Sequence, residues 1–329
     1  MRAVHLSTAG PVLSAGPPVR PEGAHGVLVR TELMGVCRSD LKEVTGTRGG
    51  PGQFGHELVG EVVDSTTARL PPGTRVCLDP NPPVRRGTGF AEQLWVCGEE
   101  DAVARALPVA PPGVAARRLV FAEPAACAAH CLTSAVRHRG ADLRGAAVCV
   151  LGAGVAGVLI AALARRAGAV ASLRNRTPDR LDFLRDNGVL PEEVSRTVAP
   201  DSQDVVVVAA SFVFPDLLEE ALRLLRPGGL VLLYGGTRAG DRLPGLDCDL
   251  DGVRRGERAV PARWRGKPVV VGGSYGTSTA DFALALEALV DDGLGVERLV
   301  TRAVDLADLP DVLRELAVTR HLGKVLVTP

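Results

Sequence analysis

The stretch Val148-Cys149-Val150-Leu151-Gly152-Ala153-Gly154-Val155-Ala156-Gly157 decides how this 329-residue chain is read. Four apolar residues make a short buried strand, and the Ala-rich run over 155–168 has the composition of a helix. Between them lies Gly-x-Gly-x-x-Gly, in the context a phosphate-binding turn requires, with a strand before it and a helix after it. Gly152 permits the tight turn, Gly154 leaves the backbone bare to a pyrophosphate, and Gly157 lets the helix lie close on the strand. The helix N-terminus then offers free N–H groups and the positive end of its dipole. The competing reading is a structural turn without ligand.

Strand and helix patterns alternate outward from this turn. Strands are predicted at 147–151, 170–173, 204–209, 229–234 and 269–272, with helices at 123–138, 155–168, 179–187 and 215–225. Such alternation builds a parallel sheet covered by helices, so an α/β class with a Rossmann doubly wound domain over 123–292 is expected. Residues 1–122 read differently, as short β segments (27–31, 58–63, 75–78) punctuated by Pro17-Pro18, Pro71-Pro72-Gly73 and Pro111-Pro112-Gly113. That is a β-rich, barrel-like domain. The tail over 293–329 has a strand at 301–304, a helix at 309–318 and a strand at 325–327, and is expected to rejoin the first domain. The Arg-rich segment over 240–266 receives no assignment.

The strand after the glycine turn selects the nucleotide. An NAD site places Asp or Glu about 20 residues on, to accept from the ribose 2′-OH. Here the strand ends Ser172-Leu173-Arg174-Asn175-Arg176-Thr177, with Asn175 where that carboxylate would stand. Without a carboxylate a 2′-phosphate is not repelled, and Arg176, or Arg174 or Arg180, can pair with it. NADP(H) is therefore favoured over NAD(H). The bland alternative is a solvated strand end.

The bulk composition narrows the partners. Lys and Arg total 38, Asp and Glu total 38, so the formal net charge is zero. A neutral chain has no field to attract a nucleic acid or an anionic membrane. No N-terminal leader is read, and the most apolar stretch, 148–164, is broken by glycines, so no membrane span is expected. Seven Cys without regular spacing read as reduced thiols and a cytoplasmic location. The cations are nearly all Arg, Lys occurring only at 42, 267 and 324, which reads as a bacterial source.

Upstream of the turn lie Gly35-Val36-Cys37-Arg38-Ser39-Asp40, then Gly55-His56-Glu57, then Ala122-Glu123-Pro124. Cys, His and Glu are all competent zinc ligands, and a catalytic zinc keeps one position open. The order of these motifs, with Gly273-Ser274-Tyr275-Gly276 and Gly323-Lys324-Val325 in the tail, resembles the zinc-dependent medium-chain dehydrogenase/reductase family. The resemblance covers nearly the whole chain, and its motifs are specific as a set rather than singly.

The resemblance implies a GroES-like β-barrel catalytic domain with the Rossmann domain inserted before its C-terminal return. It implies Cys37, His56 and Glu123 as ligands of one catalytic zinc, Glu123 matching the sorbitol dehydrogenase-like branch. Cys127 and Cys131 match the alternative third ligand less well. Glu57 matches a carboxylate beside the metal that exchanges as a ligand, and Asp40 one that orients the metal-bound His. Ser39 matches the hydroxyl that passes the substrate proton outward. Arg38 and Lys324 match basic residues near the cofactor pyrophosphate. His130 is placed near the nicotinamide or substrate, with a hydrogen-bonded helix histidine as the equal alternative.

One departure stands out. Many family members carry four closely spaced Cys holding a structural zinc, whereas residues 78–90 contain none. No structural zinc is expected. Arg85 and Arg86 in that stretch are read as an exposed loop, or as groups reaching the substrate. The implied activity is reversible oxidation of a secondary alcohol (a polyol, cyclitol or amino-alcohol) to its ketone, in bacterial secondary metabolism, by a homodimer or homotetramer. The alternatives are a zinc-free NADPH-dependent C=C or C=N reductase of the same superfamily, and a non-catalytic NADP(H)-binding protein.

Overall fold

The computed structural model describes residues 1–47 and 53–329. They form two compact units, residues 1–123 with 285–329, and residues 124–284.

In the first unit the chain runs β1 (Arg2–Ser7), β2 (Gly10–Ala15), β3 (His25–Val36), α1 (Arg38–Val44), β4 (Glu57–Ser65), β5 (Arg75–Cys77), β6 (Arg85–Arg86), β7 (Gln93–Gly98), α2 (Glu100–Ala106) and α3 (Ala116–Leu119), after which α4 (Ala122–Arg139) begins. In the second unit follow β8 (Ala147–Leu151), α5 (Val155–Arg166), β9 (Val170–Arg174), α6 (Pro178–Asp186), α7 (Pro191–Ser195), β10 (Gln203–Val208), α8 (Pro215–Leu224), β11 (Leu225–Leu233), α9 (Leu250–Arg255), β12 (Ala259–Trp264) and β13 (Lys267–Gly273). Helix α10 (Thr279–Val290) leads out of it, and the tail adds β14 (Val300–Asp305), α11 (Leu309–Val318) and β15 (Lys324–Thr328).

The second unit holds a six-stranded sheet in the order β12-β13-β11-β10-β8-β9. All neighbours are parallel except the β12–β13 pair. The central strands are apolar on both faces, as a sheet covered by helices on each side requires; Val205 to Val208 are fully buried. Strand order reverses at β8, since β9 lies on one side of it and β10 on the other. Ligands of such sheets bind beyond the strands' carboxyl ends at that switch point, and there the glycine turn sits. The unassigned Arg-rich segment contains α9 and β12. Strand β12 alternates exposed and half-buried residues on the sheet edge, so it has little apolar pattern of its own to read.

The first unit centres on the long strand β3, which pairs antiparallel with β4, β7 and β15. Its core joins Val29, Met34, Leu58 and Phe90 to Leu313 and Val325 of the returning tail. Among the described residues no helix is long and apolar enough to cross a membrane.

Candidate functional site

Sheet register assembles the first cluster. Gly35 of β3 faces Glu57 of β4, and Val36 faces Val325 of β15. Cys37, His56 and Lys324 are the next residues along each chain, so three motifs far apart in sequence meet at one end of the sheet. Gly35 matters here, because a Cβ would run into the Glu57 carboxylate. One ligand atom from each of Cys37, His56 and Glu57 lies within 4.8 Å of the other two.

Buried hydrogen bonds hold this group in place. Asp40, fully buried on the first turn of α1, accepts from the Cys37 N–H at 2.8 Å and the Gly55 N–H at 3.0 Å. It also faces His56 Nδ1 at 3.4 Å. One carboxylate thus ties the segments carrying both residues. Burial pushes the Asp40 pKa up, but the charge and hydrogen bonding of His56 and the two backbone donors bring it below its ordinary value. Burial likewise opposes a charge on His56, and Asp40 and Cys37 outweigh it to raise the pKa well above the usual imidazole value. His56 Nδ1 is also 3.1 Å from the Gln53 carbonyl, and its Nε2 is 3.2 Å from Ser39 Oγ.

Glu57 is 1% exposed and forms an ion pair with Lys324, itself 3% exposed. Burial lowers the Lys324 pKa, but Glu57 and Cys37 outweigh it, and Glu123 adds to the rise. Glu57 Oε1 is buried with no hydrogen-bond partner. A thiol, an imidazole and a carboxylate with one unsatisfied oxygen, all within reach of one point, fit a zinc ion.

One expectation changes at this cluster. Of the four residues expected at the metal, Cys37, His56 and Glu57 have ligand atoms mutually within 4.8 Å, while Glu123, on the first turn of α4, acts on the same Lys324 through its charge. Lys324, expected beside a pyrophosphate, is instead buried against Glu57, with the Val36 carbonyl at 3.4 Å and the Phe121 ring at 5.7 Å.

Arg86 has a role that neither sequence reading assigned. Its guanidinium donates to the carbonyls of Gln53 (2.9 Å), Gly87 (2.9 Å), Phe54 (3.3 Å) and Gly55 (3.4 Å), clasping the turn that presents His56. Burial lowers it to about 10, against the pull of Asp40 and Glu43. Arg86→Met should destabilise the protein by about 2–3 kcal/mol, since buried carbonyls lose charged donors. Arg86→Lys should recover little of it, because a compact ammonium cannot span that fork of acceptors. Calorimetric melting at fixed metal content checks both; a lysine variant as stable as the parent would refute the clasp.

In the second unit the three glycines of the turn differ in surroundings. A Cβ on Gly157 would strike the Gly152 carbonyl oxygen, and one on Gly152, at φ +124°, the Ala209 carbonyl. A Cβ on Gly154 would meet only Arg180 Nη1 at 3.8 Å. Gly157 therefore lets α5 lie close on the turn and β8, Gly152 lets the turn approach the end of β10, and Gly154 leaves open space at the N-cap of α5. No acidic residue occupies the first turn of α5, so its dipole stays available to an anion.

The strand-end residues separate likewise. Asn175 Oδ1 accepts from the Ala153 N–H at 3.1 Å, and its Nδ2 donates to the Thr177 carbonyl at 2.9 Å. Asn175 thus laces the glycine turn to the end of β9. Arg176 is 3.7 Å from Asp216 with its side chain 73% exposed. Arg174 bonds Glu220 at 3.2 Å. Of the three arginines considered, Arg180 is the one whose guanidinium stands over the turn.

His130 is buried with both ring nitrogens engaged. Nδ1 is 2.7 Å from Asp281 Oδ2, and Nε2 is 2.5 Å from Glu257 Oε1. This corrects its expected catalytic placement, because no ring nitrogen is left for substrate or nicotinamide. Neither carboxylate is discoverable from sequence, as they lie 127 and 151 residues from His130 with no shared motif.

Comparison with known proteins agrees with this architecture. Residues 23–129 match the alcohol dehydrogenase GroES-like domain. A zinc-type alcohol dehydrogenase-like protein of Haemophilus influenzae is 24% identical over 340 aligned positions, covering 96% of this chain and 95% of its own. A protein of Aspergillus fumigatus named as a D-xylulose reductase A is 24% identical, over 89% and 86% of the two chains. Galactitol-1-phosphate dehydrogenase from Escherichia coli superposes with a TM-score of 0.75 at 20% identity, over 100% of both chains. A zinc-binding dehydrogenase from Sinorhizobium meliloti, solved bound to NADP, gives 0.76 at 24% identity over 100% and 99%. Residues 23–129 are thus similar to the alcohol dehydrogenase GroES-like domain, and the chain is similar over nearly its whole length to zinc-type alcohol dehydrogenase-like proteins, whose solved neighbours share its fold.

Proposed function

We propose that the chain is a zinc-dependent, NADP(H)-linked oxidoreductase interconverting a secondary alcohol of a small hydroxylated compound and its ketone. The observation that carries this reading is the convergence of Cys37, His56 and Glu57 on one point, with the Ser39 hydroxyl on His56 Nε2. Relatives named for xylulose, galactitol-1-phosphate and idonate support a polyol or sugar-alcohol substrate.

Bound zinc would supply Lewis acidity, lowering the pKa of an alcohol oxygen or polarising a ketone. Cys37, His56 and Glu57 are the residues that would hold it. Asp40 holds the imidazole through Nδ1, so that Nε2 faces the site. Lys324 pairs with the Glu57 carboxylate and balances its charge in a buried site. Ser39 Oγ takes the substrate hydroxyl proton and hands it outward in alcohol oxidation, and returns it in ketone reduction. Gly152, Gly154 and Gly157 shape the pyrophosphate seat, and neutral Asn175 leaves a 2′-phosphate unrepelled.

Arg180 is the counter-ion this reading assigns to the phosphorylated cofactor. Arg180→Ala should raise the KM for NADPH about ten- to a hundredfold, the worth of one charged hydrogen bond, and change the KM for NADH far less. Equal losses with both cofactors would remove Arg180 from the 2′-phosphate. The whole reading is tested by metal analysis and turnover on a panel of polyols. About one zinc per chain, with alcohol oxidation, supports it. Less than about half an equivalent after gentle purification sinks it in favour of a zinc-free reductase.

A further inference from the structure

His130 sits midway along α4, 7% exposed, between two carboxylates from other elements. A neutral imidazole has one N–H and one lone pair. Both nitrogens here face carboxylate oxygens, so a ring that carries both protons donates to each. Each carboxylate in turn holds one end of the segment that follows β13. Glu257 Oε1 accepts from the Tyr275 N–H at 3.2 Å. Asp281 Oδ2 accepts from the Ser278 N–H at 2.9 Å and the Ser278 hydroxyl at 2.5 Å, while its Oδ1 accepts from Thr133 at 3.0 Å.

Residues 274–278 are therefore pinned at both ends through one side chain. Glu257 has φ +48°, a left-handed conformation unfavourable for a residue with a Cβ. Its hydrogen bonds to His130 and Tyr275 hold it there, and Arg137 stands 3.7 Å away.

The location gives this clamp its meaning. Strand β13 runs parallel to β11, β10 and β8, so 274–278 leaves the same sheet edge as the glycine turn. It lies three strand positions from that turn, roughly 14 Å at ordinary strand spacing. Asn175, on the opposite side of β8, marks the adenosine half of a dinucleotide. The segment thus lies towards the nicotinamide half.

We propose that His130 is a positioning residue that, by bridging Glu257 and Asp281, fixes segment 274–278 in the form that receives the nicotinamide end of the cofactor. This rests on reading residues 124–284 as an NADP(H) site. The charged groups facing the ring are Glu257 from the α9–β12 turn, Asp281 from α10 and Arg137 from α4 itself. The hydrogen bond to Asp281 raises the His130 pKa above the ordinary imidazole value, burial opposes this, and Glu257 adds to the rise. Burial would raise Asp281, but its bonds to His130, Ser278 and Thr133 bring it down to about 2. Since the raised pKa belongs to the histidine, the pinning is complete at low pH and is lost as pH rises through that value.

The test uses the full zinc-loaded chain as wild type, His130→Gln, and His130→Gln/Glu257→Gln. The double variant relieves one buried unpaired carboxylate, in case the single one folds poorly. Amide hydrogen exchange at Tyr275 and Ser278 is followed against pH without cofactor, corrected for its intrinsic pH dependence, and steady-state kinetics are run with NADPH. Protection should decline with rising pH in the wild type and be low throughout in both variants. The NADPH KM should rise about tenfold, as when the competent form falls to a tenth of the population, while kcat and zinc content change much less. A folded variant with wild-type protection, or a KM within twofold, overturns the proposal. A wild type that binds no NADPH overturns it through the reading beneath it, and this is read separately because amide protection needs no cofactor.

Discussion

Cys37→Ser should cut turnover roughly a thousandfold, the loss that about 4 kcal/mol of transition-state stabilisation represents. Ser is nearly isosteric, and the Cys37 N–H would still donate to Asp40, so the fold around α1 should persist. What disappears is the sulfur donor. A serine hydroxyl does not ionise near neutral pH and is a poor zinc ligand. Zinc content should fall with activity, whereas NADPH affinity should be nearly unchanged, since the glycine turn and Arg180 belong to the unit over 124–284. Metal analysis, kinetics and cofactor titration on one preparation check all three. Retained turnover with retained zinc would refute the ligand assignment. Loss of NADPH binding would show a folding defect instead.

Lys324→Met should be the most destabilising single change in the first unit, by about 3–5 kcal/mol in the metal-free protein. Glu57 is almost wholly buried, and its other oxygen has no hydrogen-bond partner. Removing the ammonium leaves a carboxylate in a low-dielectric site with nothing to balance its charge. Two further measurements isolate the cause. Lys324→Met/Glu57→Gln, which leaves no unpaired charge, should recover most of the loss, giving a large coupling energy in the double-mutant cycle. Saturating zinc should stabilise Lys324→Met more than the parent, since a cation that binds only the folded site shifts the equilibrium towards it. Denaturant unfolding with and without chelator reads both. A single variant within about 1 kcal/mol of the parent would show that Lys324 is not the partner Glu57 needs.

The strand–turn–helix at residues 147–166 was legible because its signals are local. A run of apolar residues, a fixed glycine spacing and a helical stretch are each properties of adjacent residues. The zinc-competent residue types were legible too, but not how they meet: pairing of Gly35 with Glu57 is what brings the Glu57 carboxylate to Cys37 and His56. The three arginines near the strand end look alike in sequence; in the fold Arg176 and Arg174 face Asp216 and Glu220, and Arg180 Nη1 lies beside Gly154 of the turn. Segment 240–266 stayed unread because α9 is a single short helix and β12 an exposed edge strand. Its conformation depends on pairing with β13 rather than on its own periodicity.

By itself the sequence determined that a dinucleotide-type turn opens an α/β sheet and that a β-rich domain carries zinc-competent side chains. Those facts rest on short-range chemistry: glycine's missing Cβ, apolar periodicity and the donor atoms each residue owns. Tertiary structure alone decided the partners. It set Lys324 on Glu57 rather than at an open phosphate site, closed Arg86 around the turn bearing His56, and locked His130 between Glu257 and Asp281. A charged side chain does not announce its counter-ion. Burial makes the choice, because the cost of leaving a charge unpaired appears only once the fold has removed the water.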